Sequence, residues 1–168
     1  MGLRRRVVLP ADVRAGLELS AADRILAVTA LTDGWAVATT QRLHVVPDDG
    51  DALRRPWSDV AGARLDPEAA ELAVTWVDGA VATDLHLADS TDRVFADTVR
   101  QRIEASILVT EHVRLPAGAM VRVVLRRGRD GAPFTQVIGD AGVDLADPAT
   151  ASAVEAAESR VRETIGLR

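Results

Sequence analysis

Between Arg24 and Leu108 the chain repeats one pattern seven times, a short apolar, β-branched run closed by turn residues, and then switches to a single helical stripe. Period-two runs of this kind suit a pleated surface, not a helix face, so the stretch must build antiparallel sheet. The expected strands are Arg24–Leu31, Trp35–Thr39, Leu43–Val46, Leu53–Trp57, Val60–Leu65, Glu71–Val77 and Val81–Leu87. Asp33-Gly34 and Asp78-Gly79 are hairpin turns, because glycine supplies the positive φ that tight turns need. Pro56 marks a strand end or an edge, since proline has no N–H to give a ladder. The clearest alternation is at 71–77, with Leu72, Val74 and Trp76 on one face and Ala73, Thr75 and Val77 on the other.

Thr91 suits an N-cap. Beyond it Val94, Phe95, Thr98, Val99, Ile103, Ser106 and Ile107 fall on one helical face, and Arg93, Asp97, Arg100, Gln101 and Glu104 on the other. The spacing predicts a helix over 91–108 that plugs one open end of a seven-stranded barrel. Upstream, Pro10 opens a short helix over Ala11–Leu17. Downstream, Met120–Arg127 and Phe134–Ile138 flank Gly128-Arg129-Asp130-Gly131 as a hairpin. A final helix starts at Asp147 or Thr150 and runs to about Ile165, where Gly166 ends it. Its apolar face is Ala149, Ala153, Val154, Ala157, Val161 and Ile165. One hairpin and one helix bury too little surface to stand alone. The expectation is therefore one domain over 1–168, mainly β with α, with 24–108 as barrel and capping helix and 113–166 docked on it.

With 48% hydrophobic residues the chain is globular, and with 3% aromatics its core must be built from Val, Leu, Ile and Ala. All 20 basic residues are arginine, which reads as the coding bias of a GC-rich bacterium. There is no cysteine, which excludes disulfides, thiolate metal sites and thiol nucleophiles. Val7-Val8-Leu9 is too short for a signal h-region, and no apolar run approaches the roughly 20 residues of a membrane span. The expected location is cytoplasmic.

The net charge of −5 is unevenly placed. Eleven acids face three arginines (Arg54, Arg55, Arg64) between Leu43 and Asp92, and five arginines face one acid, Asp130, between Val113 and Gly139. An acidic barrel repels phosphates, so nucleic acid is not an expected partner.

Asp23-Arg24-Ile25-Leu26-Ala27, the block from Gly34 through Thr39-Thr40-Gln41-Arg42-Leu43, and Arg55-Pro56-Trp57-Ser58-Asp59-Val60 together resemble bacterial pleckstrin-homology-like domains. The last block is similar to the family's Pro-Trp-x-x-Val entry to its fourth strand. The resemblance covers about half the chain. It implies a strand barrel closed by a helix, in a family whose members bind lipids, peptides or proteins, and it carries no catalytic activity with it. Phosphoinositide-binding members hold bases around the loop between their first two strands. Here that loop is Thr32-Asp33-Gly34, so the resemblance does not extend to their inositol-phosphate site.

The chemistry-bearing residues read as structural. His44, His86 and His112 have no second ligand at metal-binding spacing. Asp48, Asp49 and Asp51 around Gly50 lack the terminal glutamate of a calcium loop and fit a solvated turn. Ser58 and Ser90 sit in no nucleophile elbow. The Gly128–Gly131 loop lacks the lysine and hydroxyl of a phosphate cradle. Trp35, Trp57 and Trp76 fit core positions. No catalytic residue, metal or cofactor is expected. The candidate binding residues are Arg114, Arg122, Arg126, Arg127 and Arg129, with Arg122 and Arg126 sharing one face of an extended strand. The expected function is a non-catalytic module that binds a protein partner. The alternatives are an anionic membrane surface engaged through Arg4-Arg5-Arg6 and the tail arginines, and an enzyme with an unrecognised site.

Overall fold

Thr32 and Asp33 form a two-residue turn that joins β1 (Ile25–Leu31) to β2 (Gly34–Thr39), with Leu31 opposite Gly34. Gly34 has φ +150°, and a Cβ there would stand 2.2 Å from the Val46 carbonyl oxygen, so no side chain fits. The close neighbour belongs to β3 (Arg42–Pro47), which pairs with β2 and then with β4 (Leu53–Pro56). After Pro56 a 3-10 turn over Trp57–Asp59 takes the chain out of extension, one residue earlier than the expected strand end. β5 (Val60–Asp66), β6 (Glu71–Trp76) and β7 (Thr83–His86) follow as a meander. The structure, a computed structural model, describes residues 7–128, 130–139 and 142–166.

The chain divides into two compact units, Met1–Ile103 and Glu104–Arg168. In the first, the sheet orders are β1-β2-β3-β4 and β5-β6-β7, all antiparallel. Ala36, Ala38, Leu43, Val60, Leu72, Val74 and Leu85 fill the core between them. The helix α2 (Arg93–Ser106) covers this core with Phe95, Val99 and Ile103. Its first turn is held by the Asp92 carboxylate, which accepts from the Val94 N–H at 3.2 Å, while Thr91 donates to Asp89 instead of capping. Val94, expected on the apolar stripe, is exposed. Ahead of the sheets, α1 (Ala11–Gly16) is tied to β4 by Arg54, which donates to the Gly16 carbonyl and to Glu18 at 2.7 Å each.

The seven strands follow the expected order and are antiparallel, but they do not close into a barrel. The two sheets join by backbone at a single bridge, Leu31 opposite Leu87. It is flanked by Thr32 N–H to the His86 carbonyl at 2.9 Å and Ala88 N–H to the Ala30 carbonyl at 3.0 Å. Past that point the chain after β7 leaves to start α2, so among the described residues nothing else pairs with this edge of β1.

The second unit carries a three-stranded sheet where a hairpin was expected. β8 (Ile107–Arg114), β9 (Met120–Arg127) and β10 (Pro133–Gly139) pair in the order β10-β9-β8. Ile107 fits the helical spacing of Ile103 and Ser106, which masked the start of β8 in the sequence. A bulge between Ile107 and Val109 marks the switch of period. α3 (Pro148–Thr164) lays Val154, Ala157 and Val161 on Val113, Val121, Val123 and Leu125. Asp147 caps it by accepting from the Thr150 N–H at 2.8 Å, Pro148 fills the first helical position, and Gly166 follows the end at φ +76°.

Candidate functional site

The five arginines singled out from the sequence do not share one solvent strip. Arg114, Arg122 and Arg127 are exposed and have no side-chain partner among the described residues. Arg126 is 0% exposed, the largest fully buried side chain of the described chain, and it is engaged in the fold. Strand alternation does place Arg122 and Arg126 on one face, but burial differs along it: Val124 and Arg126 are covered and Arg122 is not. Alternation also turns Arg127 away from Arg126. Arg129 lies outside the described residues, as do Arg4, Arg5 and Arg6.

The polar residues weighed for catalysis or metal binding are dispersed. His44 is buried in β3, and neither ring nitrogen has a hydrogen-bond partner among the described residues. Burial, reinforced by Arg42 and Arg54 and partly opposed by Asp23, pushes its imidazole down to about 4. His86 stands 3.6 Å from Glu71 on the solvent side of β7, and His112 is exposed opposite Arg122. Among the described residues no three His, Cys, Asp or Glu side chains gather closely enough to hold a metal ion. Trp57 and Trp76 are buried, each with its indole N–H satisfied, by the Thr39 carbonyl at 2.9 Å and the Thr83 hydroxyl at 3.1 Å. Arg55 lies over the Trp76 ring, 5.1 Å from its centroid, while bonding Asp78 at 2.8 Å.

The first unit also carries a concave feature that sequence pattern did not indicate. A groove of about 1190 Å³ opens where β1 and the chain after β7 diverge, walled by the segment from Val7 to Leu9, by β1 and by the start of α2. Of the eight large hydrophobic residues exposed among the described residues, four line it: Val7, Val8, Leu26 and Val94. Leu26 alternates with the buried Ala27, Thr29 and Leu31, and a bulge leaves it outside the ladder, the register jumping from Ile25 opposite Thr39 to Ala27 opposite Ala38.

The charges around the groove are not equivalent. Asp23 is buried, accepts from the Gln41 N–H and the Thr40 hydroxyl at 3.0 Å each, and faces Arg42 at 3.8 Å. Asp89 accepts from the hydroxyl and N–H of Thr91, which hold its carboxyl below the usual range. Asp92 caps α2. Arg14, Arg24 and Arg93 have no side-chain partner among the described residues. The carboxylates are thus engaged by the fold, whereas the guanidinium donors are available.

The edge of β1 itself is also available. The Ala30 carbonyl and the Thr32 N–H point away from β2, toward the Leu87 bridge. By the alternation of an antiparallel ladder the N–H and C=O of Val28 point the same way. Among the described residues β1 pairs with β2 alone apart from that bridge. No helix among the described residues is long and apolar enough to cross a membrane. Comparison with family models, curated proteins and solved structures finds no match to this chain.

Proposed function

We propose that this chain is a non-catalytic, cytoplasmic interaction module of pleckstrin-homology-like design whose partner is another protein. The order of four strands, three strands and a covering helix supports the family reading. The observation that carries the functional reading is the groove. It gathers half of the exposed large hydrophobic residues of the described chain in one concavity, beside a strand edge that beyond the Leu87 bridge has no partner among the described residues. Concavities that combine exposed apolar side chains with a few polar groups are the usual binding sites of folded proteins.

Site-specific photocrosslinking tests it. A photoreactive residue at Leu26 gives a discrete protein adduct in the cells that natively make the chain, and one at exposed Thr75, on β6 of the other sheet, gives none. No adduct from Leu26 refutes the reading. Attachment to anionic membrane through the exposed Arg114, Arg122 and Arg127 is the second reading, favoured by their lack of partners among the described residues. Sedimentation with anionic vesicles, lost when those three arginines are reversed to Glu, would establish it.

A further inference from the structure

Resting on that module reading, the geometry points to the chemistry of the partner: an extended acidic peptide that adds as an extra strand to the edge of β1 that no described residue pairs with before the Leu87 bridge. Three independent features meet at the groove. The backbone of Val28 offers an N–H and a C=O at the spacing a strand requires, on an edge that β2 does not use. Leu26, Val8 and Val94 line the groove beside that edge with exposed apolar side chains. Arg24, at the start of the same edge, and Arg93, at the start of α2, present guanidinium donors with no partner among the described residues. The neighbouring carboxylates Asp23, Asp89 and Asp92 are already bonded inside the fold.

Strand addition explains why the seam ends at Leu31 and Leu87. One bridge fixes where the added strand must stop, and beyond it the groove opens between β1 and the start of α2. A peptide with alternating side chains places one set on Leu26 and Val94 and turns the other set outward. Glutamates in the outward set reach Arg24 and Arg93 through paired, charge-assisted hydrogen bonds. A basic peptide finds neither match.

Fluorescence anisotropy on the full chain tests this with a labelled short peptide of alternating valine and glutamate. The comparison probes are a valine–lysine peptide and two versions of the glutamate peptide N-methylated on one or the other alternating set of backbone nitrogens. The glutamate peptide is expected to bind and the lysine peptide not to. Because the valines fix which face lies down, one N-methylated set alone should abolish binding. Arg24→Glu with Arg93→Glu should weaken binding at least about tenfold while the thermal midpoint holds. If that pair melts early, Arg24→Gln with Arg93→Gln replaces it, with the same direction expected.

The inference is overturned if the glutamate peptide does not bind, if the lysine peptide binds equally, if both N-methylated sets are tolerated, or if charge reversal changes nothing. Binding of phosphatidylglycerol vesicles that the double reversal abolishes, without peptide binding, assigns the groove to membrane and also overturns it. The module reading fails separately. A crosslinked adduct at Leu26 that survives Arg24→Glu with Arg93→Glu keeps the module and removes the acidic peptide, whereas the absence of any adduct removes both.

Discussion

The indole N–H of Trp57 donates to the main-chain carbonyl of Thr39 across 2.9 Å, in the buried interior. This one bond ties the end of β2 to the turn between the two sheets. Pro56 stops β4, the 3-10 turn rotates Trp57 inward, and the ring meets the last residue of the neighbouring hairpin strand. Thr39 is itself a junction: its hydroxyl oxygen accepts from the Arg42 N–H and donates to the Arg42 carbonyl, each at 3.0 Å. The turn into β3 and the seam between sheets thus share one residue.

Trp57→Phe removes the donor from that buried carbonyl and keeps an aromatic ring. A buried carbonyl deprived of a partner costs about 1–3 kcal/mol, and the smaller ring leaves additional void. Urea denaturation should show a lower midpoint with an unchanged slope. A midpoint equal to that of the parent chain would mean the indole is not part of the seam.

His44 gives the stability a defined pH dependence. Its folded pKa is about 4, below the ordinary 6.5, so between these values the unfolded chain binds more protons than the folded one. Stability is therefore complete above about pH 6.5 and is lost as pH falls toward 4, by roughly 3 kcal/mol in all. Below that both states are protonated and this contribution stops changing. His44→Gln should flatten the stability profile between pH 6.5 and 4, whatever it does to the absolute value. A slope identical to that of the parent would mean that His44 does not titrate with folding.

The strand series was legible because each run carried its own alternation and its own turn residues. The Asp33-Gly34 hairpin and the closing helix follow from local chemistry alone. Closure of the barrel was not legible, since whether β1 meets β7 along its length or at Leu31 and Leu87 alone depends on non-local pairing. β8 was hidden because Ile103, Ser106 and Ile107 fit a helix as well as the start of a strand. The groove was hidden for a related reason. Alternation sets Leu26 on the face away from the buried Ala27, Thr29 and Leu31, but the segments that wall the groove around it meet only in the fold. Among the arginines, sequence period placed Arg122 and Arg126 on one face correctly, but a period says which face a residue takes and not whether that face is covered.

Arg122 and Arg126 should therefore respond oppositely to charge reversal. Arg122 is exposed on β9, opposite His112 and Ile138, and has no partner among the described residues. Arg122→Glu should shift stability by no more than about 0.5 kcal/mol, the range of ordinary surface substitutions. Arg126 is wholly buried opposite Ile107 and Phe134, so its guanidinium has given up hydration for interactions inside the fold. Arg126→Glu buries an anion where the fold holds a cation, and breaking a buried charge interaction costs about 3–5 kcal/mol. Arg126→Met, which keeps most of the aliphatic stem and removes the charge, should fall between the two. Thermal and urea unfolding of the three variants gives the ranking directly. If Arg126→Glu were as stable as Arg122→Glu, the side chain would have to reach solvent, and Arg126 would rejoin Arg122 as a candidate for anionic membrane. If the ranking holds, Arg126 belongs to the fold, and vesicle binding through the exposed Arg114, Arg122 and Arg127 does not depend on it.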